Sequence, residues 1–78
     1  MEPFLGMVVA LPYPFAPRGW LPCDGRLLSI QQNTALFSLL GNNFGGDGMN
    51  NFGLPKLAPL SHNLNYYIAT EGMYPSRN

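Results

Sequence analysis

Cysteine, histidine and charge are all scarce in this sequence, and each scarcity excludes something. One cysteine cannot form an internal disulfide, and one cysteine with one histidine cannot close a tetrahedral zinc site. Four Lys/Arg against four Asp/Glu give a formal net charge of zero. Charged residues make up 10% of the chain, where a soluble domain carries about 25%. A basic nucleic-acid-binding surface, a polybasic membrane anchor and an acidic disordered tail are therefore not expected. The longest apolar run, residues 4–11, is far short of the ~20 residues of a membrane-spanning helix. The start, Met1-Glu2-Pro3, lacks the basic stretch of a secretory signal, so export by that route is not expected.

What the sequence does contain favours assembly. A chain of 78 residues is read as one domain, residues 1–78, and buries only roughly 60–65% of the surface that its unfolded form exposes. Neither a disulfide nor a metal makes up for that thin core. A hydrophobic fraction of 46% on a neutral chain leaves little repulsion between copies or against a partner. Nine glycines and eight prolines predict a loop-rich fold instead of a helix bundle.

The local pattern predicts an α+β fold. Residues 5–11 read as a strand with both faces partly covered, Met7, Val9 and Leu11 pointing one way and Val8 and Ala10 the other. Pro12 and Pro14 end it. Asp24-Gly25 between two apolar runs is a type I′ turn signal and predicts a hairpin over residues 20–28, with Pro22 marking its first arm as an edge. Ser29-Ile30-Gln31-Gln32 has the form of a capping box ahead of a helix over about residues 30–40. Ala35, Leu36, Leu39 and Leu40 are its apolar stripe and Gly41 its αL cap. Residues 42–51 read as a Gly/Asn-rich loop anchored by Phe44, residues 52–55 as a short extended stretch, and residues 64–70 as a closing strand. Residues 71–78 form a tail, either pinned by Met73 and Tyr74 or frayed.

Several of these segments resemble one family. The run Ala16-Pro17-Arg18-Gly19-Trp20-Leu21-Pro22-Cys23-Asp24-Gly25 resembles the A-P-x-G-W-x-x-C-[DN]-G signature of the phage tail collar domain. Residues 33–41 are similar to that family's helix, Phe44-Gly45-Gly46-Asp47-Gly48 to its loop, and Phe52-Gly53-Leu54-Pro55 to its F-x-L-P stretch. Residues 64–69 with Gly72 and Pro75-Ser76-Arg77-Asn78 resemble the C-termini of collar proteins, including those called microcystin-dependent. The resemblance implies a non-catalytic structural subunit of a phage tail fibre, a tail-like particle or a bacterial surface adhesin complex. Its partners would be larger fibre or adhesin proteins or, as such fibres are usually trimeric, two further copies. The chain would then reside in a virion tail or a cell-surface assembly. The resemblance also makes Pro17, Gly19, Trp20, Cys23, Asp24, Gly25, Gly41, Gly45, Gly46, Asp47, Gly48, Phe52, Leu54 and Pro55 motif residues. The chain departs from the family after Pro55. Relatives continue with D/N-L-R-G-R and a longer Gly- and His-rich segment, where this sequence reads Lys56-Leu57-Ala58-Pro59-Leu60-Ser61-His62. It is in that sense a minimal collar, which weakens a direct receptor-binding role.

No residues form a recognisable catalytic set, and no cofactor is expected. Cys23 as a nucleophile needs a base and an orienter, and His62 is the sole imidazole. The resemblance places Cys23 in the hairpin as a small buried side chain. Three copies of His62 on a trimer axis could hold a metal, yet no His-x-His pair exists, so His62 reads as a loop residue facing solvent. Gly45-Gly46-Asp47-Gly48 lacks the Lys and Ser/Thr of a phosphate loop and offers calcium one carboxylate. It reads as a tight turn in which Asp47 bonds its own backbone. Trp20, Tyr13, Tyr66, Tyr67 and the asparagines could build a glycan platform, although in so small a core aromatics more often pack inside. The alternative function is therefore a receptor- or glycan-binding tip module, and Tyr66, Tyr67 and Tyr74 are candidate interaction residues.

Overall fold

The computed structural model describes residues 2–76. Five strands and one helix follow in the order β1 (Val8–Leu11), β2 (Trp20–Pro22), β3 (Leu27–Ser29), α1 (Thr34–Leu40), β4 (Asn51–Gly53) and β5 (Asn65–Ala69). They belong to two units. One is made from both ends of the chain, Met1–Pro22 with Pro59–Asn78, and the other from the middle, Cys23–Ala58. The α+β class expected from the sequence is the class observed.

The terminal unit is an antiparallel sheet of order β1-β5-β2. Val9 faces Tyr67 and Leu11 faces Asn65, while Trp20 faces Ala69 and Pro22 faces Tyr67. Paired residues share a face, so Val9, Leu11, Tyr67, Ala69 and Trp20 lie on one side, with Val8, Ala10, Ile68 and Leu21 on the other. Tyr67, Ile68 and Ala69 are buried, which suits the apolar centre of a strand with a neighbour on each side. Pro22 can sit in β2 because that strand is an edge. The first strand is shorter than expected because residues 4–7 form a turn, in which the Met7 N–H donates to the Phe4 carbonyl (3.1 Å). Gly6 and Met7 then both bond Ala69, a two-against-one bulge that begins the ladder. The tail is pinned through its backbone: Met73 N–H donates to Pro3 (3.0 Å) and Leu5 N–H to Met73 (2.8 Å), while the Met73 side chain stays exposed. Arg77 and Asn78, the end of the expected tail motif, and Met1 lie outside the described residues.

The middle unit pairs β3 with β4, Leu28 facing Phe52 and Ser29 facing Asn51. The arms of the expected hairpin over residues 20–28 thus lie in different sheets and do not pair with each other. The physical reason is local. A type I′ turn needs positive φ at both central residues, and Asp24 does not adopt it although Gly25 does, at 82°. Residues 23–26 run beside residues 54–57 instead, with Leu54 N–H on Arg26 (2.9 Å), Gly25 N–H on Pro55 (3.3 Å) and Leu57 N–H on Cys23 (2.9 Å). The two sequence motifs therefore bond one another.

Helix α1 begins later than the capping pattern indicated. Ser29 Oγ does accept from the Gln32 N–H, at 3.4 Å, but residues 30–32 form a turn and the helix cap is Asn33. The Asn33 amide is drawn back to the Ser29 carbonyl (2.9 Å), so that its side chain stabilises the turn and leaves the helix N-terminus uncapped. Gly41 ends the helix with its N–H on Phe37 (2.7 Å) and a φ of 60°, but its ψ of −155° is not αL. The buried face is carried by Leu36 together with Phe37, whose ring meets Phe52 at 5.3 Å, whereas Ala35 is exposed.

Phe52 and Leu54 are fully buried, and Gly46 is the residue that lets the loop lie on them. Gly46 has φ +87°, and a Cβ there would stand 2.5 Å from Phe52 Cα and 2.7 Å from the Asn51 carbonyl oxygen. At Gly41 the nearest atom, an amide nitrogen of Asn43, is 3.8 Å away. Gly41→Ala should therefore cost about 1 kcal/mol, the backbone penalty alone. Gly46→Ala should cost ~3 kcal/mol, since backbone atoms must move as well. Thermal melts in which Gly46→Ala is the milder of the two would contradict this placement.

Candidate functional site

In the middle unit the chemistry-bearing residues serve the backbone. Asp47 Oδ1 accepts from the N–H groups of Met49 (2.9 Å), Asn50 (2.8 Å) and Asn51 (3.0 Å), and Asn51 Oδ1 accepts from the Asp47 N–H (2.9 Å). These donors, led by Asn50, hold the Asp47 carboxyl below the usual carboxylate range. Asp47 is thus the organiser of the loop. Phe44, expected as its anchor, is 49% exposed. Gly53 N–H donates to Gly45 (2.9 Å), and a Cβ on Gly53 would collide with the Phe44 carbonyl, which keeps the two strands of the loop in backbone contact.

Asp24 forms a fork with Arg26, Oδ1 to Nε at 3.0 Å and Oδ2 to Nη2 at 2.9 Å, which is the ion pair found among the described residues. The Arg26 hydrogen bonds hold the Asp24 carboxyl below its ordinary value. Both side chains are about half exposed, so the pair contributes little to stability. Cys23 beside them is 4% exposed, and burial, with a smaller effect of the Asp24 charge, pushes its thiol pKa up. A thiol held protonated is a poor nucleophile.

The terminal unit holds two hollows. Tyr67 is buried, its hydroxyl donating to the Tyr13 carbonyl at 2.5 Å, and the Asn65 amide donates to the same oxygen at 3.2 Å. Of the three tyrosines singled out from the sequence, Tyr74 is therefore the one on the surface, with Tyr66 half-buried. Tyr13 stacks on Phe15 at 5.9 Å, and Phe15 is 65% exposed. Pro17, Gly19 and Trp20 form a turn closed by Trp20 N–H on the Pro17 carbonyl (3.0 Å), and Thr70 ties it down through its N–H (2.8 Å) and hydroxyl (3.0 Å) on the Gly19 carbonyl. That turn places Trp20 between two hollows. One, of about 510 Å³, is lined by β1 side chains with Phe4, Tyr13 and Pro17. The other, of about 160 Å³, carries Glu2, Arg18 and Glu71. These hollows were missed in the sequence, although the alternation of Met7, Val9 and Leu11 already placed one wall on a single face.

No group of three or more His, Cys, Asp or Glu side chains with metal-binding placement occurs among the described residues. His62 is exposed in the turn that Leu64 N–H closes on Ser61 (3.2 Å). No helix among the described residues is long and apolar enough to cross a membrane. The sequence model of the phage tail collar domain matches residues 6–60. No curated protein and no solved structure matches the chain.

Two outcomes are expected. The Asp47 carboxyl is more acidic folded than unfolded, so its contribution to stability is present above the unfolded value of ~3.9 and is lost as pH falls through the lower folded value. Melting temperature should fall as pH drops below about 4, and Asp47→Asn should flatten that limb; equal acid limbs in both proteins would refute the role of Asp47. A maleimide should label native Cys23 slowly and label it fast in denaturant. Immediate labelling of native protein would contradict its burial.

Proposed function

The chain belongs to the phage tail collar domain family, and on that premise we propose that it is an assembly subunit docked on a larger fibre or adhesin protein. The collar domain is a structural domain of phage tail fibres and is not known as catalytic, which implies a structural role in a virion tail. The observation that carries the proposal is the family match over residues 6–60, which takes in parts of both units and supports treating residues 1–78 as one collar-type domain. Exposed apolar side chains add support. Phe15 is 65% exposed and Met49 82%, with Phe4, Leu60, Met73 and Tyr74 about half exposed. With charged residues at 10%, little keeps such side chains apart from a partner.

The expected behaviour is association. Light scattering on the purified chain should show oligomers or poor dispersion, and peptides of the chain should be recovered from purified tail or surface particles. A well-dispersed monomer melting cooperatively above roughly 60 °C, and absent from such particles, would overturn the assembly reading.

A further inference from the structure

The two hollows of the terminal unit share Glu2, Pro3 and Trp20 in their linings, so they adjoin at those residues, one mainly apolar and the other charged. We infer that the two adjoining hollows act as one groove that binds an extended, proline-rich peptide segment carrying a basic residue, with the basic residue at the Glu2/Glu71 end. The inference rests on the reading of the chain as an assembly subunit and names the surface by which it docks.

Three observations argue for that occupant. The first is position. Val9, Leu11 and Trp20 share one face of the β1-β5-β2 sheet, so a segment lying there crosses the face and cannot add to the ladder at an edge. Its backbone must satisfy itself with water. A polyproline II segment does this, having no internal hydrogen bonds and a solvated backbone, and each proline removes one donor that burial would otherwise leave unpaired.

The second observation is lining. Trp20, Tyr13, Phe4 and Pro17 are among the residues lining the apolar arm, and aromatic-lined grooves are the surfaces on which proline-rich segments dock. The Tyr13 carbonyl is already taken by Tyr67 and Asn65, so that acceptor is not open to an incoming chain. A volume of about 510 Å³ lies within the range of roughly 300–1,000 Å³ of ligand-binding clefts.

The third is charge. Among the described residues lining the other end, Glu2 and Glu71 stand with Arg18, and no ion pair joins the three. Two carboxylates and one guanidinium give these described lining residues a net negative charge beside Trp20. A Lys or Arg side chain there would meet carboxylate and aromatic face together.

Trp20 is the single tryptophan, so its emission reports occupancy directly. The full chain would be titrated with an acetylated decapeptide, PPLPPLPPRK, with the same peptide ending in EE, and with an alanine- and leucine-based helical decapeptide ending in RK. A saturable emission change is expected with the first, at least tenfold weaker with the second, and none with the third. Glu71→Lys, with its fold checked by circular dichroism, should weaken the first peptide at least tenfold while leaving the acidic peptide no weaker. Equal binding of the basic and acidic peptides, binding of the helical peptide, or no saturable change up to millimolar concentration would each overturn the inference. An emission change that follows protein concentration without peptide, alongside dimers in sedimentation, would assign the groove to a second copy and overturn it too. Failure of the peptides with the chain still present in purified particles removes the groove and leaves the structural role standing. Peptide binding by a chain absent from every particle does the reverse.

Discussion

Strand β5 bonds on both of its sides, to β1 and to β2, and the terminal unit exists only because it does. The ladders join distant parts of the chain: Tyr13 and Tyr67, linked by a hydrogen bond, are 54 residues apart in sequence. Such contacts reward the chain only after a long loop has closed, and the entropy of that closure opposes them. The sequence answers by making β5 apolar through Tyr67, Ile68 and Ala69, all buried, so that pairing and burial come together. Pinning of Met73 on Pro3 and Leu5 extends the same closure to the tail.

The middle unit works on another principle. It buries few residues, namely Cys23, Leu36 and residues 52–55, and it uses backbone bonds and one carboxylate to keep a Gly/Asn-rich loop in place. Three N–H donors on one oxygen of Asp47 do what a hydrophobic anchor would otherwise do, at an exposed position where apolar packing has little to offer. The glycines of the loop are needed because backbone meets backbone there: Gly46 lies on Asn51 and Phe52, and Gly53 on Phe44.

The close approach of Gly53 to Phe44 was not legible in the sequence, whereas Gly46 and Asp47 were, as parts of a tight loop, because their reasons are local. So was the α+β class, from alternation in residues 64–70 and the helical stripe around Leu36. The expectations that failed were local signals outvoted by distant partners. Asp24-Gly25 carries a hairpin signature, but β2 finds β5 and β3 finds β4, and Asp24 turns to Arg26. Ser29 and Gln32 have capping spacing, yet the Asn33 amide holds the preceding turn and moves the helix start to Thr34. The groove was invisible for a related reason, since Glu2, Trp20 and Glu71 meet only once the sheet order is known.

Residues 56–63 are all exposed, and here the chain passes from one unit to the other. Leu57 is tied to Cys23 on one flank and Leu60 to Leu64 on the other, so each unit fastens its own end of the passage. Lengthening a surface connection is cheap, about 0.6 kcal/mol for each doubling. The stretch is therefore a port for foreign sequence, where a peptide or a whole folded module could be spliced in while both scaffolds keep their own bonds.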